Sequence, residues 1–420
     1  MTAVRRALVL GSLVLAGEAI FVLPFVLPRV FRPTLLDVWG IDNTTLGAAF
    51  SAYGVVAMVS YGLGGPLADR FATRRMMALA LACTALGGLV AAGRPTPATL
   101  LALYASWGLS TILLFWAGLL RATREWGGEA AQGRAYGLLD GGRGLVAAGF
   151  STLAVAGFAW LGGDGGAAEQ AAAFRGVVLG ATTLTLAAGA LVYGVVPEPT
   201  ATTGPRWRLA DVLPLARRPT LWLQGVIVVC AYVAYKGTDD VSLLVRDVLG
   251  YTELEAASVG TLSFWLRPVS AVAAGLVADR LGGWRTVAAG FALLLLGDLA
   301  VVSGITNLAH GAILAGIVAT GVAVYALRGV YFALLAEGGV PVALTGTAVG
   351  VVSVIGYTPD VFFGPLMGAL LDGAPGAQGH RHLFVVLGLF AAVGLVASLG
   401  FGAMTGGPPP RAPSTPSASP

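Results

Sequence analysis

The stretch Gly65-Pro-Leu-Ala-Asp69-Arg70-Phe-Ala-Thr-Arg74-Arg75 lies between two apolar segments and has a partial copy later in the chain, Gly275-Leu-Val-Ala-Asp279-Arg280. A second pair of matching segments, Asp37-Val-Trp-Gly40 and Asp247-Val-Leu-Gly250, has the same spacing, because 279 − 69 and 247 − 37 both equal 210. Two independent motifs that share one offset predict a chain built from two copies of one fold.

The composition excludes a soluble enzyme of this length. Of the 420 residues, 56% are hydrophobic and 11% are charged, whereas soluble domains are roughly a quarter charged. Apolar runs of about 20 residues, long enough to cross a bilayer, recur along the whole chain. We predict twelve spans, near residues 5–30, 44–66, 75–93, 98–121, 134–158, 173–196, 219–242, 255–278, 285–304, 309–336, 344–371 and 382–404.

The longest polar stretch between spans, from Pro197 to Pro219, separates the two repeats. The fold class that follows is an all-α membrane protein with twelve transmembrane helices in two pseudo-symmetric six-helix bundles. The predicted domains are a first bundle at 1–196, a cytoplasmic connector at 197–218, a second bundle at 219–404 and a tail at 405–420. The tail is rich in Pro, Ser and Gly, and we expect it to be disordered.

Basic residues in the loops predict the orientation. With the N-terminus in the cytoplasm, fifteen loop and span-end arginines fall on the cytoplasmic side and six, including Arg94, Arg175 and Arg381, on the other. Both termini are therefore predicted to be cytoplasmic, in the inner membrane of a bacterium.

Several classes of partner are not indicated. The net charge of +4 is small and dispersed, which argues against nucleic acid. Cys83 and Cys230 lie in apolar runs, and His310, His380 and His382 match no metal-ligand spacing. We expect no metal, no cofactor and no direct ATP coupling, since no phosphate-binding glycine loop of the Walker type occurs.

The Gly65–Arg75 stretch resembles the loop signature of the major facilitator superfamily, and the resemblance covers essentially the whole chain. It implies a secondary transporter in which Asp69 and Asp279 hold a cytoplasmic gate, through arginines such as Arg124 or a helix N-terminus, in one conformational state. The gate residues implied are Gly65, Asp69, Arg70, Arg74, Arg75, Arg124, Asp279 and Arg280.

Within the superfamily, Tyr235-Lys236-Gly-Thr-Asp239-Asp240 resembles the organophosphate:phosphate antiporter branch. An arginine of span 7 contacts the phosphoryl group there; this chain has Lys236 at that point, and Arg29 or Arg32 would supply the opposing cation. Span 5 lacks the glycine-proline pattern of drug/proton antiporters, which disfavours efflux of drugs.

Charges inside the predicted spans indicate a central polar cavity, because a charge in the bilayer interior needs a cavity or a partner. Lys236 is the only lysine of the chain, and a local pair with Asp240 is the alternative to a role in binding. Arg267 and Arg328 have no acidic neighbour one turn away and require Asp360, Glu18 or a bound anion. The predicted substrate-binding residues are Arg29, Arg32, Trp107, Tyr232, Lys236, Arg267, Tyr325, Arg328 and Tyr357.

Glu18 and Asp360 are the candidates for proton coupling, because loss of water disfavours the charged form of a carboxyl group in the membrane. The alternative for Asp360, which follows Pro359, is that its carboxylate caps a break in span 11.

The function predicted from these residues is secondary transport of a small organic solute, anionic or polyhydroxylated, by a monomer in the lipid bilayer. Energy would come from protons or from anion exchange. Two alternatives stay open: a proton-coupled exporter of amphiphilic drugs, and a solute-sensing membrane receptor without net transport.

Overall fold

The computed structural model describes residues 2–128, 132–198, 215, 217–341 and 344–405, apart from the side chains of residues 62, 64–70, 132–134 and 346. Twelve helices in this part of the chain are long and apolar enough to cross a membrane. They are α1 Ala3–Val30, α2 Asn43–Tyr61, α3 Thr73–Ala91, α4 Pro97–Gly127, α5 Ala135–Trp160, α6 Ala167–Val195, α7 Pro219–Leu249, α8 Glu253–Leu281, α9 Gly283–Asn307, α10 His310–Glu337, α11 Thr347–Gly373 and α12 Ala377–Thr405.

The helices pack as two groups of six. Helices α1–α6 contact mainly one another, as do α7–α12, and the two groups meet along α2 with α11 and α5 with α8. We call these groups the N-terminal and C-terminal halves. This arrangement confirms the predicted fold class, while residues 199–214 and 216 of the predicted connector 197–218 and residues 406–420 of the predicted tail 405–420 lie outside the described residues.

The repeat is visible in the backbone at the ends of matching helices. A short helix, Arg32–Trp39, ends at Gly40, and α7 ends at Gly250; both glycines are left-handed, with φ of 67° and 71°. A residue with a Cβ is strained in that conformation, so each copy of the repeat requires glycine there. Asp42 precedes α2, and hydrogen bonds from Thr45 hold the pKa of its carboxyl below its usual range.

Two helices of the N-terminal half contain wider, π-helical turns. In α1 these turns cover Val22–Val26, where Pro24 has no N–H to donate to the preceding turn. In α4 they cover Leu109–Trp116, where the hydroxyls of Ser110 and Thr111 both donate to the Trp107 carbonyl. Such turns alter the direction of the side chains that follow them.

Helices α2 and α11 approach so closely that their backbones touch. A Cβ on Gly47 would collide with the carbonyl of Gly364, and a Cβ on Gly54 with the carbonyl of Asp360. Small residues permit this spacing between membrane helices. The helix of α11 is interrupted at Tyr357, whose φ of −98° and ψ of 8° depart from the helical region, and a new helical segment begins at Pro359.

Candidate functional site

A buried ion pair joins the two halves. Nε of Arg29 donates to Oδ1 of Asp239 over 2.6 Å, and both side chains are about 97% buried or more. Because 239 − 29 is again 210, the two residues occupy equivalent places in the two repeats. A contact between equivalent positions lies on the axis that relates the halves, so this pair sits on the pseudo-twofold axis.

Further polar contacts connect the halves at the end that carries residues 31–42. Arg246 pairs with Asp37 at 2.8 Å, and Asp372 accepts hydrogen bonds from both the backbone and the side chains of Asn43 and Thr44. We call this set of contacts the latch, and this end of the protein the latch end. The latch consists of Arg29, Asp37, Asn43, Thr44, Asp239, Arg246 and Asp372.

At the opposite end, the polar contacts between described residues stay within one half. Arg74 pairs with Glu198 at 2.7 Å in the N-terminal half. In the C-terminal half, the carboxylate of Glu337 accepts from the first backbone N–H groups of α9, at Gly283 and Trp284. The ion pairs described at this end therefore lie within one half, while Arg267 on α8 connects the halves between the two ends through Asp140 and Glu18.

Lys236 lies between two carboxylates of the C-terminal half. Its Nζ is 3.4 Å from Oδ1 of Asp360 and 3.8 Å from Oδ2 of Asp239. The rings of Phe25 and Phe50, from the N-terminal half, face the ammonium with centroids at 4.9 and 4.8 Å. The predicted alternative of a pair with Asp240 does not occur, because Asp240 binds His380 at 2.8 Å instead.

Arg328 has no carboxylate partner among the described residues. Its guanidinium lies 3.9 Å from the ring centroid of Tyr235 and 5.6 Å from that of Tyr232. Its Nη1 is buried without a hydrogen-bond partner in the described part of the chain, and the same holds for the hydroxyl of Tyr325, one turn earlier on α10. Two buried donors thus lie close together on one helix.

Arg267 finds both of its partners in the N-terminal half. It lies 2.9 Å from Asp140 and 3.9 Å from Glu18. Glu18 also binds Arg143 at 3.2 Å, and Arg143 donates to the Gly17 carbonyl. Of the partners that the sequence left open for Arg267, namely Asp360, Glu18 or a bound anion, Glu18 is the one it approaches here.

The structure does not bring every predicted site residue to this centre. Trp107 is buried in the N-terminal half, where its Nε1 donates to the Thr84 carbonyl. Arg32 is buried near the latch and donates to Oδ1 of Asn43. Tyr357, by contrast, does lie near Arg328, because its ring packs on that of Tyr232 with centroids 4.8 Å apart.

The carboxylate of Asp360 accepts from the Tyr232 hydroxyl rather than capping the break in α11. Of the predicted gate, the side chains of Gly65, Asp69 and Arg70 lie outside the described residues. Asp279 and Arg280 are exposed at the end of α8, and Arg75 lies 4.0 Å from Glu198. No ion pair of Arg124 is seen with the described residues.

Sequence reasoning missed Asp239, Asp140, Arg143 and Tyr235 as members of the site. The offset of 210 could have identified Asp239, because it makes this residue the equivalent of Arg29 in the second repeat. Tyr235, between Arg29 at 4.4 Å and Arg328 at 3.9 Å, had no comparable signal.

Twelve apolar helices in two halves, with charged and aromatic side chains buried between the halves, define a membrane transporter. Residues 9–360 match the family model of the Major Facilitator Superfamily, and the chain belongs to that family. It is a transporter of the secondary type and not an enzyme.

Similar proteins include two from Escherichia coli (strain K12). The inner membrane protein YqcE is 26% identical over 91% of both chains, and the inner membrane protein YihN is 24% identical over 92% of this chain and 93% of its own. Among solved structures, a bacterial homolog of the human lysosomal transporter Spinster, inward-facing and occupied, superposes with a TM-score of 0.75. It is 16% identical, and the match covers 96% of this chain and 98% of that one.

Proposed function

We propose that this protein moves a small, singly charged organic anion with hydroxyl groups across the membrane by alternating access. The observation that carries the proposal is Arg328, a cation in the centre of the protein with no carboxylate partner among the described residues. A charge in the membrane interior requires compensation, and a bound anion would supply it.

The charges around the site support a single negative charge on the solute. Five cations meet there, Arg29, Arg143, Lys236, Arg267 and Arg328, and four anions, Glu18, Asp140, Asp239 and Asp360. Five minus four leaves one uncompensated positive charge, which a monoanion neutralises and a dianion exceeds.

The tyrosines around Arg328 support a solute that is both apolar and hydroxylated. The rings of Tyr232, Tyr235, Tyr325 and Tyr357 pack on one another beside the guanidinium. A phenol offers an apolar face and one hydroxyl, so it suits carbon rings or chains that carry hydroxyl groups. The hydroxyl of Tyr325 would bind the solute together with Nη1 of Arg328.

Alternating access follows from the two six-helix halves at 1–196 and 219–404, joined by the connector 197–218. The excess of loop arginines on one side supports an orientation with the latch end at the periplasm and both termini in the cytoplasm. Closure at the latch end then gives an inward-facing state. In the outward-facing state, the gate around Asp69 and Asp279 would close the cytoplasmic end, and a monomer suffices for this cycle.

Flux into proteoliposomes tests the proposal. We expect uptake of hydroxylated monocarboxylates that neutral sugars do not inhibit. The variant Arg328→Gln should weaken solute affinity by about ten- to a hundredfold, because hydrogen bonds to charged groups contribute roughly 1.5–3 kcal/mol. The matched control is Arg285→Gln: this arginine also lies on an aromatic ring, that of Trp284 at 4.9 Å, but at an exposed end of α9. It should transport normally.

Three outcomes would reject the proposal. Equal loss of affinity in both variants would mean that Arg328 acts through general charge. Binding of cationic amphiphiles without organic anions would identify an exporter of such compounds. Anion binding without flux would identify a sensing receptor.

A further inference from the structure

A chain of contacts connects the solute site to the latch. The hydroxyl of Tyr232, which packs beside Arg328, donates to both oxygens of Asp360 at 3.0 and 3.2 Å. Asp360 binds Lys236 at 3.4 Å, Lys236 approaches Asp239 at 3.8 Å, and Asp239 binds Arg29 at 2.6 Å. The last of these contacts crosses between the halves, whereas the others lie within the C-terminal half.

Lys236 lies where it can exchange one carboxylate partner for the other. Its distances to Asp360 and Asp239 differ by 3.8 − 3.4 = 0.4 Å, so a small movement of the ammonium exchanges the nearer partner. A lysine can make that movement, since its ammonium is a point charge on a flexible stem, unlike the planar fork of arginine. The rings of Phe25 and Phe50 hold the amine between the carboxylates.

The charge balance shows what a proton on Asp360 would do. As described, two cations, Arg29 and Lys236, face two carboxylates, Asp239 and Asp360. A proton bound by Asp360 from the cytoplasmic solution, the side to which the site opens while the latch is closed, leaves both cations with Asp239 alone. Lys236 then moves to Asp239 and competes with Arg29. An ion pair within the C-terminal half thereby replaces one that joins the halves.

The groups around Asp360 leave its carboxyl as the proton acceptor. From α7 it faces Tyr232, Lys236 and Asp239, and from α2 the phenols of Tyr53 and Tyr61. Phenols and lysine amines hold their protons in water over the physiological pH range. Asp239 already accepts the 2.6 Å hydrogen bond of Arg29.

We propose that protonation of Asp360 opens the latch, and that Lys236 is the positioning residue that transmits the change to Asp239. This inference rests on the proposed function and names its coupling step. Solute bound at Arg328 acts on the same step through Tyr232, so proton and solute both act on the closure at the latch end.

The distance between the halves at the latch end is the readout. Spin labels on Ala98→Cys and Thr306→Cys, both exposed positions near that end, are placed in a full-length chain that carries Cys83→Ser and Cys230→Ser. Pulsed electron resonance in lipid nanodiscs, without solute, then gives the populations of short and long distances. In the parent chain, mildly acidic buffer should raise the ratio of long to short distances by about tenfold relative to mildly alkaline buffer, or roughly 1.4 kcal/mol.

Three variants test whether the response of the latch to pH depends on Asp360 and Lys236. Asp360→Asn should give the acidic distribution in both buffers, and Lys236→Met the short distance in both, because the connection to Asp239 is lost. The matched control, Asp298→Asn, removes another buried carboxylate of the C-terminal half, one that binds Thr320 and belongs to α9. It should keep the response to pH of the parent chain.

A response to pH that survives in Asp360→Asn or in Lys236→Met overturns the inference, and each variant tests it if the other fails to fold. Loss of the response in Asp298→Asn alone would assign the proton to α9 and also overturn it. Because no solute is present, these results are independent of flux: transport without the distance change rejects this step alone, and the distance change without transport rejects the proposed function alone.

Discussion

Removing Arg29 should open the latch end, and the size of the effect follows from the geometry. In Arg29→Met, Asp239 loses its 2.6 Å partner and keeps Lys236 at 3.8 Å. Breaking a buried pair by removing one partner costs about 3–5 kcal/mol, and the remaining lysine places the cost near the lower limit. The penalty applies when the latch is closed, because opening returns Asp239 to water. The closed state should therefore lose roughly 3 kcal/mol, or about a hundredfold in its population relative to the open state.

The same spin-label distance between Ala98→Cys and Thr306→Cys measures this change. The matched control is Arg246→Met, which breaks a pair across the same interface, with Asp37, but one whose side chains are 25% and 67% exposed. Exposed pairs contribute about 0–1 kcal/mol, so this variant should change the ratio less than about fivefold. An unchanged distribution in Arg29→Met, or equal effects of the two variants, would refute the assignment of closure to the axial pair.

Three further predictions concern packing, capping and binding. Gly54→Val should lower Tm and reduce the free energy of unfolding by about 1–3 kcal/mol or more, because its Cβ meets the backbone of Asp360. The control is Leu86→Val, at an exposed apolar position, which should change Tm less. Glu337→Gln weakens the cap on α9 and should lower stability by about 1 kcal/mol without a change in solute affinity, measured by thermal unfolding and by binding. Tyr325→Phe should weaken solute affinity by about 0.5–1.5 kcal/mol and leave Tm unchanged or higher, since its hydroxyl has no partner among the described residues.

The spans could be predicted because hydropathy alone determines which segments enter a bilayer, but their ends depend on tertiary partners. The predicted span 285–304 lies inside the observed α9, Gly283–Asn307. By contrast, α12 begins at Ala377, five residues before the predicted 382, since 382 − 377 = 5. The polar residue His380 is accommodated in this helix because Asp240 and Asp247 bind its ring. Those partners belong to α7 and are not visible in the local sequence.

The candidate site could be predicted as a set of charges but not as a set of pairs. The periodicity of single helices identified Lys236, Arg267 and Arg328 as facing inward. It could not show that Arg267 is neutralised from α1 and α5 while Arg328 is not, because that depends on how the two halves meet. Trp107 has the same helical spacing as a cavity residue, yet its indole Nε1 donates to the Thr84 carbonyl of α3, a partner that the spacing within α4 does not reveal.

The presence of one lysine, buried at position 236, makes the protein simple to label at a defined place. Since the chain has a single lysine, reductive methylation with isotopic formaldehyde adds methyl groups at just two amines, this one and the terminal amine. The resulting NMR spectrum contains one methyl resonance from the membrane interior, shifted by the ring currents of Phe25 and Phe50. The rate at which the reagent reaches that amine reports how often the centre of the protein is open to water.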